Sequence, residues 1–201
     1  MPPQRRGYVR CLLAAVCFGV SAPAASRLTE HLNAFALAGL LYLGAALAMV
    51  PATIRTPPAG ATLRHGAGRL ATAVLLGGGL GPVLLALGLA RTSAASGSLL
   101  LNLELVFTTV IAGVVFREHI GARVAAGTLL VAIAGAILAG WSGLDAQLGA
   151  LLIAGACVCW AIDNSVTAAL DELAPAHITF VKGAVAGSVN LALGALVGGI
   201  D

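Results

Sequence analysis

Residues 93–140, SAASGSLLLNLELVFTTVIAGVVFREHIGARVAAGTLLVAIAGAILAG, form two apolar runs joined by one tight charged hinge. At ~1.5 Å per residue, a run of about 20 apolar residues matches the roughly 30 Å hydrocarbon core of a bilayer. The block is therefore expected to cross a membrane twice. Each crossing is expected to be a helix, which satisfies its own backbone amides and carbonyls where no water is available. Asn102 and Glu104 lie near the middle of the first run. An ionised carboxylate at that depth is costly unless it meets a partner or an aqueous cavity, so these two residues are the first candidates for function.

The rest of the chain follows the same pattern. Hydrophobic residues make up 59% of it and charged residues 9%, and the mean hydropathy is +1.00. A soluble domain of this length could not carry that balance on its surface. Seven spans are predicted, at 9–28, 33–53, 70–90, 93–116, 121–140, 148–169 and 177–199. The expected fold class is an all-α polytopic membrane protein, one unit without a linker. Breaks are marked by Pro51, Pro57, Pro58 and Gly60, by Arg117 and Glu118, by Trp141 to Gln147, and by Asp171 to Pro175. The 26 glycines suit close helix packing in lipid, where small residues let backbones approach.

Charge sets the expected orientation. Arg5, Arg6, Arg10, Arg55, Arg64, Arg69, Arg117 and Arg123 fall on the side of the N-terminus, and only Arg27 and Arg91 fall on the other. This bias places the N-terminus in the cytoplasm, in a bacterial-type inner membrane. It also accounts for the net charge of +3 without any nucleic-acid partner, because the basic residues do not cluster on one soluble face. A competing reading takes Arg5, Arg6 and Arg10 with Ala22-Pro23-Ala24 as a signal peptide and its cleavage site.

An internal echo opposes that reading. With an offset of 142, Ala14, Val16, Cys17, Leu28, Glu30 and Ala34 recur as Ala156, Val158, Cys159, Leu170, Glu172 and Ala176, and Phe18 meets Trp160. Spans one and six then occupy equivalent places. Five helices separate the two starts, so the second copy is inverted, as in many secondary transporters. The expected division is a first five-helix repeat at 9–140 and the first two helices of a second at 148–199.

The stretch LNLELVFTTVIAGVVFREHIGARVAAGTLLVAIAG resembles the most recognisable part of the EamA-type family of the drug/metabolite transporter superfamily: a small-residue helix with an acidic or polar position, a Phe-x-Glu hinge and a glycine-containing helix. WAIDNSVTAAL resembles the opening of the family's second repeat. The resemblance implies a ten-helix, two-repeat exporter or facilitator that moves small polar metabolites by alternating access, with the early helices of each repeat lining a central cavity. Against that pattern, Leu105 stands where proline is frequent. The chain also stops at Asp201, where the family has about three further helices, so a truncated transporter is expected, with a homodimer as one way to supply the missing wall.

Individual residues allow more than one role. Glu104 is a candidate proton or substrate site, or a structural carboxyl hydrogen-bonded to a neighbouring helix. Asp163 and Asn164 in the sixth span are candidates for lining the cavity. Lys182 lies at a comparable depth, so it either pairs with Asp163 or snorkels to the interface. With Asn102 and with Ser21, the repeat equivalent of Asp163, these residues form the expected substrate pathway. Glu118 is expected to stabilise the start of the fifth span, where a carboxylate offsets free N–H groups.

Cys11 and Cys17 are expected in the core. Cys157 and Cys159 point about 200° apart on a helix and cannot chelate one ion together. His31, His65, His119 and His177 fall near span ends, without metal-binding spacing. There is no nucleophile elbow, P-loop or dinucleotide fingerprint, and no cofactor is expected; the Gly77-Gly78-Gly79 run before Gly81-Pro82 should bend or pack its helix. Beside transport stand two other readings: an assembly subunit of a membrane complex, and an intramembrane enzyme using Glu104 and Asp163 as an acid pair.

Overall fold

The computed structural model describes residues 3–57, 64–140, 143–170 and 172–198, with side chains from residue 7 onward. Pro58, Gly60, Trp141, Asp171 and Asp201, and the side chains of Arg5 and Arg6, lie outside the described residues. Every element among the described residues is helical, and seven helices are long and apolar enough to cross a membrane. They are α1 (Pro3–Leu28), α2 (Ala34–Arg55), α3 (Ala67–Leu89), α4 (Ala94–Val114), α5 (Ala122–Gly140), α6 (Leu144–Ala168) and α7 (Pro175–Gly198). The protein is a multi-pass membrane protein with the seven expected spans.

Local chemistry sets the helix starts. Asn33 Oδ1 accepts the Ala36 N–H at 2.9 Å, and Ser93 Oγ accepts the Ser96 N–H at 3.1 Å, so each side chain satisfies a donor that the first turn leaves free. The hinge after α4 closes differently. Arg117 has a φ of 55°, and the Glu118 N–H donates to Ala112 O at 3.0 Å, six residues back and one wider than the 6→1 bond of a Schellman stop, with an arginine at the left-handed position where glycine is usual.

Two layers of packing hold the bundle. The most intimate is the antiparallel α2–α7 pair, where glycines bring the backbones together: a Cβ on Gly39 would lie 2.5 Å from Leu191 N, and one on Gly194 would lie 2.5 Å from Ala36 N. Polar clamps close both ends of this pair. Asn33 Nδ2 donates to Gly194 O at 2.9 Å, and His177 Nε2 meets Thr56 O.

The second layer is a core in which Leu37, Leu89, Leu100, Ile153 and Cys157 are buried between α2, α3, α4 and α6. A smaller cluster of Leu70, Leu170, Leu173 and Ile178 seals the other end. Helices α1 and α5 lie outermost, with Leu12, Leu13, Val16, Leu129 and Leu130 exposed for contact with lipid. Cys11 and Cys17 are exposed on α1, against the expectation that they are core residues, because α1 touches its neighbours only through Ala22 and Ala25 among its buried positions. Cys157 and Cys159 are buried.

Candidate functional site

The third span explains why polar side chains converge within the bundle. Its stretch Ala73–Leu80 is π-helical, and the Gly81 N–H donates five residues back to Leu76 O. Continuing that register would require a bond from Pro82 to Gly77 O, but proline has no N–H. Neighbouring helices supply the donors instead. Trp160 Nε1 of α6 donates to Gly77 O at 2.9 Å, the Tyr42 hydroxyl of α2 donates to the same oxygen, and Asn190 Nδ2 of α7 donates to Gly78 O and Gly79 O, both at 3.2 Å. The glycines also make room, since a Cβ on Gly77 would fall on the Asp163 carboxylate. The run thus packs the helix, as its sequence suggests, and does so by shifting its hydrogen-bond register.

Asp163 and Asn164 are consecutive on α6, so their side chains diverge by about 100° and serve different neighbours. Asp163 faces α3 and α7. Its Oδ2 pairs with Lys182 Nζ, its Oδ1 accepts the Thr167 hydroxyl at 3.1 Å, and its side chain is 5% exposed. Lys182 therefore pairs within the bundle instead of snorkelling. Asn164 turns to α4, where its Nδ2 donates to Glu104 Oε1 at 2.7 Å.

The helix that carries Glu104 is broken beside it. Helix α4 consists of Ala94–Leu100 and Leu103–Val114 with a turn between them, and the Glu104 N–H reaches back three residues to Leu101 O at 3.1 Å. Asn102 Nδ2 donates to Leu99 O at 3.0 Å, competing with the local ladder. The buried Cys157 thiol donates to Leu100 O and Leu101 O, both at 3.7 Å. A break thus occurs without proline, because an asparagine side chain and a thiol take up the freed carbonyls.

Glu104, Asn102 and Asn164 line a cavity of about 310 Å³ with Ser98, Thr108 and Phe18. A second cavity of about 410 Å³ continues toward the end of α4 and shares Thr108 and Asn164 with the first. Ser21 is not brought to this cluster. Its hydroxyl is exposed and donates to Phe18 O at 2.6 Å, and it is Phe18 that α1 presents to the cavity. Glu118 also departs from expectation: among the described residues its carboxylate makes no hydrogen bond to the α5 amides, and it lines the second cavity. The left-handed Arg117 and the Glu118-to-Ala112 bond explain this by folding the chain back on the end of α4.

Tyr42, Trp160, Thr167 and Asn190 were not among the residues expected at the site. Two signals could have found them. Asn190 is an amide at membrane depth like Asn102, and Trp160 falls opposite Phe18 at the sequence offset of 142. Among the described residues no group of three His, Cys, Asp or Glu side chains is placed to hold a metal ion. The sequence profile of the EamA-like transporter family matches residues 5–140. Comparison with curated proteins and with solved structures gives no match.

Proposed function

The chain belongs to the EamA-like transporter family, and on that premise we propose that it moves a small polar metabolite across the bilayer by alternating access. The observation that carries this reading is the division of labour on α6, where Asp163 holds α7 through Lys182 while Asn164 holds α4 through Glu104. One helix thereby joins two walls through adjacent residues. Because the two side chains diverge by about 100°, a turn of α6 that preserves one bond strains the other. A cargo donor that replaces Asn164 at Glu104 would release α4 from α6 while the Asp163–Lys182 pair keeps α6 on α7. Asn102 and Thr108 then offer the cargo further polar contacts. Glu104 and Asp163 are also the groups on which a coupling proton would ride.

An inverted two-repeat plan, divided at 9–140 and 148–199, finds support in the α2–α7 pair. The offset of 142 carries Asn33 to position 175 and Gly194 to position 52. The clamp between Thr56 and His177 thus stands within four residues of where a dyad places the counterpart of the Asn33–Gly194 clamp. The arginine bias supports a cytoplasmic N-terminus in an inner membrane.

The test is metabolite profiling of the medium and the cell for strains expressing the wild type, Glu104→Gln or Asp163→Asn at matched abundance. The wild type is expected to shift one small polar metabolite between the compartments, and Glu104→Gln to abolish the shift. Identical distributions with wild type and Glu104→Gln would refute the assignment of Glu104 to the pathway. No shift with the wild type would refute transport.

A further inference from the structure

Resting on the transport reading, we infer that the cargo is a small organic ammonium cation and that Glu118 is its capture residue at the mouth of the pathway. Thr108 and Asn164 line both cavities, so two adjoining grooves, largely apolar with a few polar groups, follow the α4–α6 seam from Glu104 to Glu118 at the end of α4. Each cavity contains one carboxylate, and neither is lined by a lysine, arginine or histidine. Lys182 is already paired with Asp163 on another face of α6, and Arg69, though it does not line the second cavity, donates to the carbonyl of Ala169 there at 3.0 Å.

The remaining lining suits the same charge. Carboxylates only accept hydrogen bonds, so they match a donor or a positive head and repel an anion. Each cavity also carries one phenylalanine ring, Phe18 beside Glu104 and Phe116 beside Glu118, and ring faces attract quaternary and primary ammonium groups. Glu118 is free to serve because the backward turn at Arg117 directs it to these grooves, and among the described residues its carboxylate has no hydrogen-bond partner. Glu104, by contrast, is held by Asn164, a neutral partner that a charged head can displace. Two carboxylates in series then give capture at the mouth followed by transfer to the inner site. Charge at a mouth governs encounter more than turnover.

The experiment uses the purified chain in liposomes with radiolabelled choline, lactate and sorbitol as probes. Choline is expected to move saturably, and Glu104→Gln to abolish its flux. Glu118→Gln should raise the KM for choline loaded from the α4 end by about tenfold with little change in maximal rate. That difference should shrink as the Debye length falls from ~10 Å at 0.1 M salt to ~3 Å at 1 M. Glu118→Asp should restore most of the affinity.

A second measurement needs no variant: wild-type choline flux should be inhibited by tetramethylammonium and not by acetate. Preference for lactate or sorbitol, inhibition by acetate alone, or an unchanged KM in Glu118→Gln overturns the inference while leaving transport intact. Movement of none of the three probes above protein-free vesicles counts against both.

Discussion

Replacing Gly77 by alanine tests the link between the π-helical register of α3 and the buried charges. The added Cβ would fall on the Asp163 carboxylate, which cannot swing away freely because Lys182 and Thr167 hold its two oxygens. The substitution must therefore separate the ion pair or push α3 from α6. Leaving a buried charge without its partner costs ~3–5 kcal/mol, and alanine returns about 1 kcal/mol of helix propensity over glycine. A net loss of about 2–4 kcal/mol follows. Gly79 is the internal control, since a Cβ there meets only Val74 O at 3.5 Å, an ordinary contact.

Unfolding equilibria in mixed micelles should therefore place Gly77→Ala well below wild type and Gly79→Ala within about 1 kcal/mol of it. The decisive step is a double-mutant cycle. In an Asp163→Ala, Lys182→Met background the penalty of Gly77→Ala should fall below about 1 kcal/mol, because the obstructing carboxylate is gone. An equal penalty in both backgrounds would refute the argument, and so would equal losses for Gly77→Ala and Gly79→Ala.

Four further outcomes are expected. Gly183→Leu, whose Cβ would lie 2.8 Å from Ala46 Cβ, should destabilise the α2–α7 pair by about 1–3 kcal/mol in the same assay, whereas Gly44→Leu, with nothing within 4 Å of its Cβ, should be nearly neutral. Cys157→Ser keeps a donor for Leu100 O and should cost less than Cys157→Val, which leaves that carbonyl without the thiol at about 1–3 kcal/mol while Leu101 O still accepts the Glu104 N–H. Arg117→Gly should raise thermal stability by about 1 kcal/mol, since glycine adopts the left-handed turn without the arginine's steric penalty. Reporter fusions at 55–69 should behave as cytoplasmic and those at 141–147 as external, and the reverse pattern would overturn the assigned orientation.

What the sequence revealed and what it concealed divide along physical lines. Span number and approximate ends were legible because transfer into lipid depends on summed hydropathy over some twenty residues, a local property. Asn102, Glu104, Asp163, Asn164 and Lys182 were legible because a polar group at membrane depth requires a reason wherever it sits. Their partners were less so. The sequence left Lys182 poised between Asp163 and the interface, and only the placement of α6 against α7 decides between them. Ser21 and Phe18 are one helical turn apart on α1, and the rotation of that helix, which no apolar stripe specifies in so uniformly hydrophobic a segment, determines which of them meets the cavity.

Glu118 shows the same gap at the scale of one dihedral angle. Its position before α5 suggested a helix-end carboxylate, yet a left-handed arginine redirects it, and an arginine gives no sequence signal for that conformation. Gly77, Gly78 and Gly79 with Pro82 were the reverse case, a visible punctuation with a hidden consequence. A proline without an N–H leaves a carbonyl orphaned, and glycines without side chains let Tyr42, Trp160 and Asn190 reach the carbonyls there. The chemistry that breaks the helix thus also recruits α2, α6 and α7 around Asp163. A disturbance of this one register should therefore be felt at the ion pair before it is felt at the ends of the bundle.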